Sequence, residues 1–407
     1  LTTNHTGTSK MNILLTGGRA PATLDLARIF ATAGHHVYVA ESVHHHLCRV
    51  SNSVIKSFQV AKPNEQPEAY IRDLQNIVHQ YEIDMLIPTC EEIFHISKHI
   101  TSFITGCKIF SEPIERLDIL HHKWKFIKLV QEMGFDVPET RLIHTSQEMK
   151  ALGETGFFNK QTILKPVYSR FASRIQMIHP SRSQRSNDKV ITEVGRSLSP
   201  SHPWIAQRFI HGQVLCSYSV IHDGKVMAHC AYKSDFTAGR GASIYFEFVD
   251  HPELLHWVEQ FVQRYQSNGQ IAFDFIQTAD GTLYPLECNP RATSGIHLFR
   301  PQDNLDLAFV GPHLLSTNSL PLTPSSNSTA MLKLAMLSFG VVSNLGPHKL
   351  RMWYQAYKRS RDVVYSAIDP HPFREQFRIL QETRRVSRKY SISMLEASTH
   401  DIEWNGD

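Results

Sequence analysis

The chain has 407 residues, a net charge of +4, 42% hydrophobic and 20% charged residues, the balance of a soluble globular protein long enough for two or three domains. No apolar run approaches the ~20 residues that span a bilayer, and so mild a charge gives no reason to expect nucleic acid along the whole chain. The six cysteines form no CxxC pair and read as reduced, cytoplasmic thiols, which excludes a disulfide framework or a zinc ribbon.

Residues 1–10, LTTNHTGTSK, are polar and read as a disordered leader, with the fold starting at Met11. From there MNILLTGGRAPATLDLARIFATAGHHVYVAES predicts a buried strand, a Gly-Gly turn, a helix with Pro21 near its start and a second strand ending at Glu41. A dinucleotide site would put Glu41 on a ribose hydroxyl, but GGRAPA is not GxGxxG, so this is the lesser reading. IDMLIPTCEEI adds a parallel-type strand with Thr89, Glu91 and Glu92 at its end, where open α/β sheets bind ligands; capping the next helix is an equal reading. The histidine runs at 35–36, 44–46 and 121–122 lack helical ligand spacing and read as loop or surface histidines.

LDILHHKWKFIKLVQEMGFDVPET predicts an amphipathic helix with Lys123 at its start and Phe126, Leu129, Val130 and Met133 on one face, stopped at Gly134. QTILKPVYSRFASRIQMI is a strand ending in Lys165, a polar connection and a second strand-like run, and SRSQRSNDK then reads as a mobile basic loop. PWIAQRFIHGQVLCSYSVIHDGKVMAHCAYK predicts a strand, a kink at Gly212 and a hairpin turning at Asp223-Gly224. TAGRGAS is a glycine loop around Arg240 whose N–H groups could cradle an anion.

IAFDFIQTADGTLYPLECN is two β-type runs joined by Asp280-Gly281, the signature of a two-residue hairpin turn. With Ala279 facing Thr282, Asp274 falls opposite Glu287 and Ala272 opposite Asn289. Opposed Cβ atoms are about 5 Å apart, so two carboxylates there repel unless something neutralises them. A hard cation such as Mg²⁺ would do so; a solvated hairpin face neutralised by Arg291 is the bland alternative. The other face would carry Ile271, Phe273, Phe275, Tyr284, Leu286 and Cys288 and pack on the core. PLTPSSNST, at 321–329, marks a linker to a separate C-terminal extension rich in Lys and Arg between 349 and 389. Phe373, Phe377 and Leu380 share a helical face there. A docked helix with a solvated basic face is preferred to a membrane-surface or polyanion patch.

HHKWKF, ILKPVYS, AQRFIHG and ECNPR, in this order, resemble the ATP-grasp superfamily, in the branch near carbamoyl-phosphate synthase large chains and carboxylate-amine ligases, over roughly Met11 to Leu298. The resemblance implies an α/β and α+β multidomain fold. A Rossmann-like domain would span 11–115, a small lid subdomain 116–208, a large subdomain with the metal site 209–320, and the linker and basic extension 321–407. It implies ATP and Mg²⁺ (or Mn²⁺) as cofactors. Lys123 and Lys165 would contact phosphates; the main chain of Arg208 and Ile210 would read the adenine edge with Gln207 beside it. Asp274, Glu287 and Asn289 would be the metal ligands, and Arg291 the catalytic residue that steadies an acyl-phosphate. The βαβ opening then becomes a structural and substrate-side domain.

Two features depart from the family. VYSRFASRI, with Arg170, Ala172, Ser173 and Arg174, has no glycine where a Gly-rich flap is usual, and Arg208 and Gln213 stand where acids are common. The implied activity is ATP-dependent ligation: a carboxylate is activated as an acyl-phosphate and coupled to an amine, with release of ADP. The alternatives are a non-catalytic ATP-binding regulatory module, suggested by the flap, and carboxyphosphate chemistry on bicarbonate. Expected partners are a small carboxylate and an amine, without nucleic acid. Homodimerisation stays open, and peripheral membrane contact through the basic extension is the lesser expectation.

Overall fold

Five short strands, β1 (Asn12–Thr16), β2 (His36–Glu41), β3 (Lys56–Gln59), β4 (Met85–Ile87) and β5 (Lys108–Ile109), pair in the order β3-β2-β1-β4-β5, all parallel. The computed structural model describes residues 9–103, 106–169, 174–238, 241–315, 320–340 and 346–406. Residues 1–8 of the expected leader, the flap residues Arg170, Ala172 and Ser173, and Arg240 of the glycine loop lie outside them. Among the described residues no helix is long and apolar enough to cross a membrane.

Strand order reverses beside β1, the place where such sheets take ligands at their carboxyl ends. Here the chain's own C-terminal segment lies over those ends. Arg19, in the turn after β1, joins Glu41 (Nη2 to Oε1, 2.6 Å) and Asp401 (Nη1 to Oδ1, 2.6 Å). The Trp404 N–H donates to Glu91 Oε2 (3.2 Å). Glu41 is therefore consumed by an ion pair, and the ribose-reading role considered for it falls away. Glu92 Oε1 accepts from Thr16 Oγ1 (2.7 Å) and from the Thr89 and Cys90 N–H groups (3.1 and 3.0 Å), which resolves its role as a buried brace of this turn.

A second, antiparallel sheet consists of β6 (Thr140–Ile143), β7 (Thr162–Pro166), β8 (Gln176–Ile178) and β9 (Trp204–Arg208), in the order β6-β9-β7-β8. Leu164, Ile178, Trp204 and Ala206 line its covered face against Val194. Val194 belongs to helix Gln184–Ser197, which replaces most of the loop expected for SRSQRSNDK. The Ser183 side chain caps it by accepting from the Ser186 N–H (3.3 Å), and its apolar stripe, including Val190 and Ile191, begins only after the polar first turn.

The third body is a seven-stranded sheet. Its strands are β10 (Gln213–His222) and β11 (Lys225–Lys233), then, past the ribbon β12 (Thr237–Ala238) and β13 (Ala242–Ser243), β14 (Tyr245–Val249), β15 (Gly269–Gln277), β16 (Leu283–Asn289), β17 (Thr329–Met331) and β18 (Arg361–Asp362). The order is β16-β15-β10-β11-β14-β17-β18. One face packs Phe273 and Phe275 on Trp257 and Phe261 of helix Pro252–Tyr265 and on Phe126 of helix Lys123–Glu132. On the other, Tyr218, Tyr232 and Phe246 share a core with Ile13, Leu26 and Phe30 of the parallel domain. The segment expected as a separate extension beyond 321 supplies β17 and β18, so it is built into this sheet.

Candidate active site

The hairpin β15–β16 sets Asp274 opposite Glu287 and Ala272 opposite Asn289, the predicted register, but by a different route. The Thr278 N–H donates to Thr282 O (3.0 Å) and the Gly281 N–H to Thr278 O (2.9 Å), with Gly281 at φ +89°. Ala279, Asp280 and Gly281 thus form a three-residue loop, not the expected two-residue turn. That one-residue change alone would turn Glu287 toward the core. The register steps back between Asp274 and Phe275: Phe275 faces Pro285, Asp274 faces Glu287, and Leu286 is the extra residue of a β-bulge. As a result Leu283, Pro285 and Cys288 are the buried residues of β16, whereas Tyr284 and Leu286, predicted on the core face, are half-buried.

Two lysines converge on this hairpin. Lys123 opens its helix after His122, whose ring accepts from the Lys125 N–H (3.3 Å). Lys123 Nζ donates to Ser169 O (3.1 Å) and stands 3.2 Å from Glu287 Oε2. Lys165, at the end of β7, sends its Nζ to the carbonyl of the bulge residue Leu286 (3.3 Å). Burial pushes the Lys165 ammonium down to about 8, with Lys123 adding to the effect and Glu287 and Asp274 opposing it. For Glu287, burial works against the charge, but Lys123 and Lys165 outweigh it and hold the carboxyl low. Burial and then the Glu287 charge push Asp274 the other way, toward its protonated form. The hairpin therefore carries one compensated and one uncompensated carboxyl. Glu287 keeps 31% of its side chain exposed, so the pair is open to a ligand.

Asn289 and Arg291 continue the same edge. Arg291 Nη2 donates to Asn289 Oδ1 (3.3 Å) and lies 4.0 Å from Glu91 Oε1, linking the hairpin to the carboxyl end of the parallel sheet. Its Nε is buried with no hydrogen-bond partner among the described residues.

The residues expected at the adenine edge lie in β9 of the four-stranded sheet and just past it. Gln207 pairs with Ile163 of β7 and Thr140 of β6, two residues along β9 from Ile205, which faces Lys165; strand alternation puts Gln207 on the Lys165 face. The Gln207 side chain is buried and donates to Thr140 Oγ1 (3.1 Å). The Arg208 side chain is bound to Glu139 (Nε to Oε2, 2.9 Å) and lies over the Phe157 ring (3.7 Å). Its N–H donates to Glu139 O (2.9 Å), so of its main chain the C=O is what remains for a ligand. The Ile210 main chain makes no hydrogen bond among the described residues.

Sequence reasoning missed two groups. Cys216 of β10 is paired with Asp274 of the neighbouring β15, and burial followed by the Asp274 charge pushes its thiol well up. The Leu286 carbonyl is the other. Neither has a local sequence signal, since one depends on pairing of distant strands and the other on a bulge.

The architecture is a four-stranded antiparallel sheet and a seven-stranded sheet, antiparallel except for its β17–β18 edge, joined to a parallel α/β domain, with two lysines and two carboxylates where the sheets meet. Residues 120–295 match the family described as ATP-grasp domain. The carbamoyl phosphate synthase large chain of Archaeoglobus fulgidus is 20% identical over 227 residues, 53% of this chain and 20% of that protein. The C-terminal section of the same enzyme's large chain from Methanopyrus kandleri is 21% identical over 267 residues, covering 60% and 48%. The chain thus spans half or less of these relatives' length. Among solved structures, N5-carboxyaminoimidazole synthetase from Staphylococcus aureus complexed with ADP superposes with a TM-score of 0.58 at 15% identity, over 78% of this chain and 81% of that one. L-amino acid ligase from Bacillus licheniformis gives 0.54 at 12%, over 74% of each. At such identities the likeness is one of fold.

Proposed function

We propose that the chain is an ADP-forming ligase that activates a carboxylate with ATP and couples it to an amine. The observation that carries this is the convergence of Lys123 and Lys165, from two different elements, on the opposed carboxyls Asp274 and Glu287. Two ammonium groups suit a charge-dense triphosphate. The donor set also fits a hard divalent cation: hard oxygens, and an Asp274 driven toward protonation for want of a compensating charge. Asp274, Glu287 and Asn289 would hold Mg²⁺ or Mn²⁺, which supplies neutralisation of phosphate charge when bound.

In the reaction a substrate carboxylate oxygen bonds to the γ-phosphorus of ATP, the bond to the bridging oxygen breaks and ADP leaves. The amine nitrogen then attacks the acyl carbon and phosphate departs. Lys123 and Lys165 grip the phosphates, Arg291 steadies the acyl-phosphate, and the Arg208 C=O, the Ile210 main chain and Gln207 bound the adenine. The four-stranded sheet within 140–208 serves as the lid over 209–320, with helix 123–132 staying on the large sheet through Phe126, while 11–115 serves the substrate side. The six cysteines are all free, in keeping with a cytoplasmic enzyme acting on small molecules.

The test is ADP release from purified protein with Mg²⁺ across panels of acids and amines, beside Glu287→Ala. Release that needs both an acid and an amine and is lost in Glu287→Ala supports the ligase. Release with bicarbonate alone assigns carboxyphosphate chemistry instead. Nucleotide binding without any turnover assigns a regulatory module.

A further inference from the structure

Helix His371–Tyr390 has two unlike faces. One docks on the parallel domain: Pro372 and Glu375 are buried, and Glu375 Oε1 lies 2.6 Å from His45 Nδ1. Just before the helix, Asp369 accepts from Arg28 (3.0 Å) and Ser51 (2.7 Å). The opposite face repeats at helical spacing through Arg374, Phe377, Arg378, Arg384, Arg385 and Arg388, all exposed. The acids stay off this stripe, since Glu375 is buried and Glu382 is half-buried on the docked side. Arg374, Arg384, Arg385 and Arg388 have no ion-pair partner among the described residues, whereas Arg378 reaches back to Glu375 (3.2 Å).

Apolar groups on the helix project beside these cations: Phe377 is 57% exposed and Leu380 50%. In the loop before the helix Ile368 is 86% exposed. Packing does not explain them, because the helix is already anchored by its other side. An arginine-rich surface with protruding apolar side chains has the chemistry of the headgroup and acyl-chain boundary of an anionic bilayer. A phosphodiester backbone would use the arginines and leave Ile368, Phe377 and Leu380 in water. A second copy of the chain would bring like charges together.

We propose that this face of helix 371–390 binds an anionic lipid bilayer, with the helix parallel to the surface, its arginines among the phosphate headgroups and Ile368, Phe377 and Leu380 below them. Twenty residues give a contact about 30 Å long. This does not depend on the ligase reading.

The full chain is to be co-sedimented with phosphatidylcholine vesicles with and without phosphatidylserine. Binding is expected only with phosphatidylserine and is lost in high salt. Arg384→Ala with Arg388→Ala lowers partitioning on the order of tenfold or more, and Phe377→Ser with Leu380→Ser lowers it at constant charge, while thermal midpoints stay those of the parent. Several results would overturn the proposal: no binding, equal binding to neutral vesicles, an indifferent arginine variant, self-association through this face, or tighter binding to a DNA duplex than to the vesicles.

Discussion

Lys123 Nζ stands 3.2 Å from Glu287 Oε2 and 3.1 Å from the Ser169 carbonyl oxygen. One ammonium thereby ties the helix under the large sheet to the β15–β16 hairpin and to the segment leaving β7. In the proposed reaction a triphosphate entering between the sheets would compete for that same ammonium and free Glu287 for a cation. Lys123→Ala is expected to weaken nucleotide binding and slow ADP release, each on the order of 10²-fold. Calorimetry with ATP and Mg²⁺ checks the first, and an unchanged affinity removes Lys123 from the phosphate site.

Gly212 lies between β9 and β10, and a Cβ there would lie 2.2 Å from the Gln277 carbonyl oxygen and 2.7 Å from Ile276 Cγ2. Backbone cannot yield as a side-chain tip can, so Gly212→Ala must push the start of β10 off β15. The expected cost is about 1–3 kcal/mol by urea unfolding. Because Arg208 and Ile210 immediately precede the displaced strand, ATP affinity should fall as well, although neither lysine nor carboxylate has changed.

Much of this site was legible because its signals are local. Alternation and a turn signature brought Asp274 and Glu287 together, and the strand and helix periods around Lys165 and Lys123 marked both as ends of elements. Even there, two errors cancelled: the turn is a residue longer than Asp280-Gly281 suggests, and the bulge at Leu286 restores the register. Long-range pairing was not legible. Arg19 and Asp401 are 382 residues apart in sequence, and no periodicity reports that they meet. Helix 184–197 was hidden because its first turn is entirely polar, leaving only the Ser183 cap as a signal.

The Arg19 guanidinium is saturated. It meets Glu41 through Nε and Nη2 (3.0 and 2.6 Å), Asp401 through Nη1 and Nη2 (2.6 and 2.7 Å), and the Ser398 carbonyl (3.0 Å). Arg19→Ala strands two buried carboxylates and should cost about 3–5 kcal/mol. Asp401→Asn should cost less, because Arg19 keeps its two-pronged contact with Glu41. Urea unfolding of both variants gives the order, and limited proteolysis should cut residues 391–406 faster in each. A milder effect from Arg19→Ala than from Asp401→Asn would contradict this account of the cluster.

Acid sensitivity follows from buried histidines. His229 is enclosed in the large sheet with Nδ1 2.9 Å from Ser219 Oγ, and burial, then His251, pushes its pKa from 6.5 to about 3. Burial likewise takes His35 and His222 to about 4. Each is neutral when folded but gains a proton below 6.5 once unfolded, so between about 4 and 6.5 the unfolded state binds more protons and stability falls as acid is added. Asp25, held down at about 2 because Arg361 and His297 outweigh its burial, acts with the same sign but only below about pH 4. One such histidine gives a slope of up to about 1.4 kcal/mol per pH unit. Urea midpoints of His229→Leu at about pH 7 and about pH 5 should therefore differ less than those of the parent. Equal differences in the two proteins would mean that His229 takes up its proton in the folded state.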